Sequence, residues 1–217
     1  MKFRSLIRYL IIISFCMLNV GSDFEEYKKL EKMNVGLIRK EDLPSEFSDD
    51  AYKTIVDFIR KTKDLDYEWV IFFDYLTGEI LRCVKGGDSN VKLDYNEDEF
   101  KSHHIASIHN HPENVYSPPS DKNFGILMRE FEDYELVVSV NELWILKAKG
   151  KNPIMYIMLK MSAEVFLVSC QEYCDKMYSD SEKADEVCDK MYGTRLSNYI
   201  NDNNIKDIQL TKKEYQP

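Results

Sequence analysis

Positive charge is scarce in this chain of 217 residues: 29 Lys and Arg stand against 38 Asp and Glu, for a formal net charge of -9 at pH 7. Affinity for nucleic acid comes largely from Lys and Arg displacing counterions, so this balance argues against nucleic acid as a substrate. No two cysteines have the CxxC spacing of structural zinc sites. Cys170 and Cys174 are one helical turn apart, which suits small apolar residues on a buried face. With the first 22 residues removed, Cys83, Cys170, Cys174 and Cys188 would form an even set able to make disulfides outside the cell. Repetition is also lacking. Cys174 to Tyr178 (CDKMY) recurs at Cys188 to Tyr192, and one echo does not build a solenoid.

The apolar run Tyr9 to Val20 is short of the ~20 residues that cross a bilayer. It follows Lys2, Arg4 and Arg8, with no acid among them, and precedes Gly21-Ser22. Residues 1–22 thus read as a signal peptide or short membrane anchor, with Met17 or Met33 as alternative starts. The first reading makes the protein secreted or membrane-anchored and the second makes it cytoplasmic.

A hydrophobic content of 44% in 217 residues is enough for one sizeable core, or for one domain with an appendage. Asp23 to Lys32 is charged and reads as a linker or a helix. Ser48 caps a predicted helix from Asp49 to about Thr62, with Ala51, Ile55, Phe58 and Ile59 on one stripe. Glu68 to Asp74 is apolar, aromatic and too short for a helix, so it reads as a buried strand. Thr77-Gly78 turns the chain into a second strand, Glu79 to Val84, which Gly86-Gly87 ends. The acidic stretch Asn90 to Ser102 reads as an exposed connection, followed by a strand from Ile105 to Ile108.

Ile108-His109-Asn110-His111-Pro112 carries the chemistry. Side chains two apart on an extended segment leave the same side, with Cα atoms roughly 6.5 to 7 Å apart. His109 and His111 can therefore converge on one ion, whereas the adjacent His103 and His104 point to opposite faces. Pro112 ends the strand and opens a loop from Glu113 to Pro119. Ser120 sits where a helix cap belongs, with Phe124, Leu127, Met128 and Phe131 as the stripe after it. Strands Leu136 to Val140 and Leu143 to Lys147 follow, joined at Asn141-Glu142. Helical spacing then runs over Met161 to Tyr178 and Glu182 to Tyr192, ending near Gly193 or continuing through Leu196, Tyr199 and Ile200. Asn201 to Asn204 is a polar break before a final edge strand, Ile205 to Leu210.

The run His109-Asn110-His111-Pro112, seven residues, then Ser120-x-x-Asn123 resembles the metal-binding signature of the JAB/MPN (JAMM) metalloprotease-like domains, in the wording of the RadC and phage-associated branches. The resemblance covers roughly Tyr67 to Ala148. It implies an α/β (α+β) fold, a JAB/MPN-like (cytidine-deaminase-like) mixed sheet flanked by helices, over residues 34–150, with 151–217 as a helical extension packed on it. The resemblance also implies Zn2+ held by His109 and His111, with Glu68 as the catalytic base and Ser120 assisting the oxyanion. Glu79, after the turn, is the weaker alternative for the base.

Two departures from that signature matter. Asn123 stands where the family has an aspartate, and the loop before Ser120 is one residue longer. A neutral amide oxygen binds zinc less well than a carboxylate, so Asp121, two residues earlier, is the alternative third ligand. Three functions follow from the resemblance. The first is a zinc hydrolase cleaving a peptide or isopeptide bond, acting on a protein or peptide that includes ubiquitin-like partners. The second is a catalytically inactive protein-binding module, and the third a RadC-like or phage-associated protein.

Overall fold

The computed structural model describes residues 22–86, 97–112 and 118–216. The amino-terminal segment through Gly21, the Gly87 end of the second strand, most of the acidic stretch from Asn90 and the loop residues 113–117 lie outside the described residues. A single six-stranded mixed sheet organises the rest, in the order β2-β1-β3-β4-β5-β6. Its strands are β1 (Trp69–Asp74), β2 (Ile80–Lys85), β3 (Ile105–Asn110), β4 (Glu132–Val138), β5 (Glu142–Ala148) and β6 (Ile208–Glu214). Only β3 and β4 are parallel, and every other neighbouring pair is antiparallel.

Alternation along the strands divides their side chains between two faces. Trp69, Ile71 and Phe73 of β1, Ala106 and Ile108 of β3, and Tyr134, Leu136 and Val138 of β4 join one core. That face is covered by α1 (22–29) and α2 (Asp49–Thr62). Ser48 starts α2 as its spacing predicts, its hydroxyl accepting from the Ala51 N–H at 3.0 Å. Tyr27 of α1 stacks on Phe58 of α2 and lies edge-on to Trp69. The Thr77-Gly78 turn presses against the start of α2. Gly78 has φ +77°, and a Cβ there would come within 2.5 Å of the Asp50 carbonyl carbon, so only glycine fits.

The other face carries two apolar clusters. Val70, Phe72, Phe100 and Ile105 form a small one, with Phe131 packed against it. Val137, Trp144, Leu146, Ile208 and Leu210 belong to a larger one under α3 (Pro153–Met177) and α4 (Ser181–Asp202). The four cysteines at 83, 170, 174 and 188 are buried and unpaired to one another, as their spacing suits.

Several boundaries differ from the sequence reading. The stripe after Ser120 does not make an α-helix: Asp121–Leu127 is a 3-10 helix, Met128 is 48% exposed, and Phe131 lies past its end, stacked on Phe100. Three residues per turn aligns Phe124 with Leu127, both fully buried, which the tighter helix satisfies without Met128 or Phe131. β4 starts at Glu132, four residues before the expected Leu136, because its two glutamates are buried rather than solvated. α4 continues to Asp202 and is released at Asn204, which takes φ 49°. Gly193 lies inside α4, where a Cβ would meet the Trp144 ring at 3.1 Å. The last strand runs from Ile208 to Glu214 and forms the sixth strand of the main sheet, pairing with β5 along its length.

Candidate metal centre

His109 is the penultimate residue of β3, on the face between the two apolar clusters, paired in register with Val70 of β1. Glu68 lies one residue before β1, and the alternation of an extended chain puts it on the same side of the sheet as Val70. Asn110, between the histidines, faces the other way and is fully buried. Its carboxamide accepts from the Trp69 N–H at 2.7 Å and donates to the Tyr67 carbonyl at 3.0 Å. The peptide units on both sides of Glu68 are thus held by the residue between the two imidazoles. His111 is half-buried, and its ring lies 5.2 Å from that of His109, tilted by 45°.

The parallel neighbour β4 adds a carboxylate. Glu135 projects to the same side as His109, with Oε1 3.7 Å from His109 Nδ1. Burial, assisted by the nearby Arg129 charge, lowers the His109 pKa to about 3, so the ring is neutral and this approach is not an ion pair. Arg129 bridges Glu132 and Glu135, 2.5 Å from each, while Ser107 donates to the other oxygen of Glu132. Burial pushes both glutamates up from the usual carboxylate range, against the pull of Arg129.

Asn123 closes the arrangement. Its Oδ1 accepts from the Ser120 N–H at 2.6 Å and the Ser120 hydroxyl at 3.1 Å. Its Nδ2 donates to Glu135 Oε1 at 2.7 Å and lies 3.3 Å from His109 Nε2. The partners fix which way the amide points. Ser120 N–H can only donate and the Glu135 carboxylate only accepts, so the oxygen faces Ser120 and the nitrogen faces the imidazole. Asn123 thus presents its N–H side, and not its oxygen, to His109 Nε2.

Of the residues singled out in the sequence, His109, Asn123 and Ser120 are in direct contact, and His111 flanks them. Glu68 is linked to the corner by charge: burial raises its carboxyl to about 7, with Lys122 opposing and the Glu135 charge adding. Asp121 is placed elsewhere, on the outer side of the 3-10 helix, 3.8 Å from Lys160. Glu79 is exposed in the β1–β2 turn, and His103 turns away to Asp74 at 3.2 Å. Among the described residues no group of three or more His, Cys, Asp or Glu side chains could hold a metal ion. The donor set fits zinc poorly in this arrangement, because the third position offers an N–H and its oxygen is spent on Ser120.

Sequence reasoning missed Asn110, Arg129, Glu132 and Glu135. One signal was readable. Glu135 sits between Tyr134 and Leu136 in an apolar strand, so the alternation that buries its neighbours on one face aims it at the other. No family model, curated protein or solved structure matches this chain.

Proposed function

We propose that this chain is a JAB/MPN-like domain that acts by binding a protein or peptide partner, its histidine corner being closed by hydrogen bonds instead of completed by zinc. The observation that carries this reading is the orientation of the Asn123 carboxamide, which aims an N–H at His109 Nε2 and spends its oxygen on Ser120. The HNHP wording at the end of β3 and the Ser120-x-x-Asn123 run behind it support the family assignment, since both meet at one corner of a mixed sheet.

One observation favours a zinc-dependent peptide or isopeptide hydrolase as the second reading. Glu68 is a half-buried carboxyl raised to about 7, one residue before β1, and it feels the charge of Glu135, which lies against His109. A carboxyl titrating near neutrality is what a general base requires. That reading needs Asn123 to give up its bond to Glu135 and turn its oxygen toward His109.

Zinc content of the purified chain separates the two. The binding module takes up well under one zinc per chain, and Asn123→Asp binds zinc through a carboxylate and loses it when His109 and His111 are changed to alanine. About one zinc per wild-type chain, removed by the same histidine changes and accompanied by cleavage of peptide or isopeptide substrates, overturns the binding reading in favour of the hydrolase.

A further inference from the structure

Helix α3 is apolar on two opposite sides. Leu159, Ala163, Cys170 and Cys174 are buried in the core it shares with α4 and the sheet. Facing away from that core, Ile154, Ile157, Met158, Met161, Val165 and Val168 are between 49% and 72% exposed. At 3.6 residues per turn they fall within an arc of about 100° and run for about 21 Å along the helix. Five of them, Ile154, Met158, Met161, Val165 and Val168, alternate steps of four and three residues. That is the spacing by which one helix seats its side chains into the holes of another.

We propose that this face is a homodimer interface, in which α3 of two copies pack antiparallel about a two-fold axis beside Met161. Charge selects both the partner and the direction. Beyond Val168 the same spacing reaches Glu172 and then Asp175. A parallel pair would stack each of these on its own counterpart. The antiparallel pair instead carries Glu172 level with the turn before the other copy's helix, where Lys149 is exposed and the helix dipole is positive. Lys160 and Glu164 border the same edge of the stripe. About a two-fold axis at Met161, Lys160 of each copy comes within about 3 Å, along the helix axis, of the level of Glu164 of the other, so that, turning from its 3.8 Å approach to Asp121, it makes two symmetric ion pairs.

A lipid surface fits less well. The helix is long and apolar enough to cross a membrane by length and composition. Its inner face, however, is committed to the core, and the stripe is bordered by Glu164 beside Lys160 and extended by Glu172 and Asp175, where a membrane-lying helix carries mainly Lys and Arg.

Sedimentation of the full chain tests the proposal. The expected particle has twice the 25.6 kDa chain mass. Met161→Glu, which sets two carboxylates face to face on the axis, converts it to a monomer with an unchanged circular dichroism spectrum. Lys160→Glu and Glu164→Lys each weaken the dimer severalfold, and the two together restore it. Oxidised Met161→Cys cross-links to itself. Ile154→Cys does so only when combined with Val168→Cys, which excludes the parallel pairing. A wild-type monomer overturns the proposal, as does a dimer that survives Met161→Glu. A monomer that binds phosphatidylcholine vesicles and loses that binding in Met161→Glu also overturns it, in favour of a membrane surface.

Discussion

Replacing Asn123 by alanine tests the reading of the histidine corner as a closed network. The side chain is 5% exposed and holds four polar contacts: two from Ser120, one to Glu135 and one to His109. Loss of the bond that anchors the start of the 3-10 helix costs about 1 kcal/mol, the usual penalty for a missing helix cap. Loss of the amide donor to the buried Glu135 costs about 1.5 to 3 kcal/mol, the range for a hydrogen bond to a charged group. Arg129 still holds the other oxygen of Glu135, which keeps the second contribution toward its lower end. The sum is about 3 kcal/mol, or a fall of roughly 6 to 12 °C in melting temperature for a chain of this size. Urea unfolding and thermal melts of wild type and Asn123→Ala at pH 7, both in chelator, measure it. A change below about 0.5 kcal/mol is what an unconnected surface residue gives and would refute the network. Asn123→Asp in chelator is destabilised at least as much, because it loses the same donor and sets a second carboxylate against Glu135. Added zinc should raise its melting temperature and leave that of wild type unmoved.

Two further predictions concern the strand that presents Glu68. Asn110→Ala removes both bonds that hold the peptide units around Glu68 and should cost about 2 kcal/mol in urea unfolding, whereas equal stability would mean the β1–β3 register holds Glu68 unaided. Glu68 itself gives a pH signature. Its folded-state value of about 7 lies above the ordinary 4.5, so it costs nothing below pH 4.5, where both states are protonated. From about pH 4.5 to about 7 folding must withhold a proton release that the unfolded chain allows, and stability is lost across that window. Glu68→Gln removes the loss. The melting temperature of the variant relative to wild type should therefore rise between pH 4.5 and 8, and a pH-independent difference would count against a buried carboxyl.

Where a local rule decides the outcome, the sequence reading and the structure coincide. Ser48 and the stripe Ala51, Ile55, Phe58, Ile59 give α2 its start and its buried face without reference to any other element. β1 is buried throughout, as its unbroken apolar run implies, and the turn at Gly78 is where the backbone demands glycine. His109 lies on β3 and His111 one residue past its end, with their rings 5.2 Å apart. The rest depends on partners distant in the chain. Arg129, Glu130, Glu132, Asp133 and Glu135 put five charges within seven residues, and only β3 beside them reveals that Arg129, Glu132 and Glu135 are paired inward. The expected start of β4, Leu136, falls just after them, whereas the strand begins at Glu132. After Ser120 the apolar spacing suits an α-helix as well as a 3-10 helix, and the choice is made by packing under α3 and by the early start of β4.

The Arg129 bridge also explains how a polar seam survives between two apolar clusters. Glu132 and Glu135 are almost fully enclosed, and each would resist ionisation there if left alone. One guanidinium 2.5 Å from both supplies the cationic charge that lets them remain. Lys151 adds a bond to the Glu132 backbone carbonyl. Arg129→Met keeps the apolar stem and removes only the charge, leaving two facing carboxylates with Ser107 and Asn123 as their remaining donors. Breaking a buried ion pair costs about 3 to 5 kcal/mol, and the partial exposure of Arg129 places this one near the lower end. Without the guanidinium both carboxyls are raised further, so the variant must take up more protons on folding than wild type, whose two glutamates are already raised. Its deficit against wild type should accordingly be largest at and above neutral pH and shrink as the pH falls toward 4.5 and the carboxyls become protonated in both states. Melting temperatures of the two proteins across pH 4.5 to 8 measure the difference. A deficit that stays constant with pH would mean that Arg129 contributes packing alone and that the carboxylates are not held by its charge.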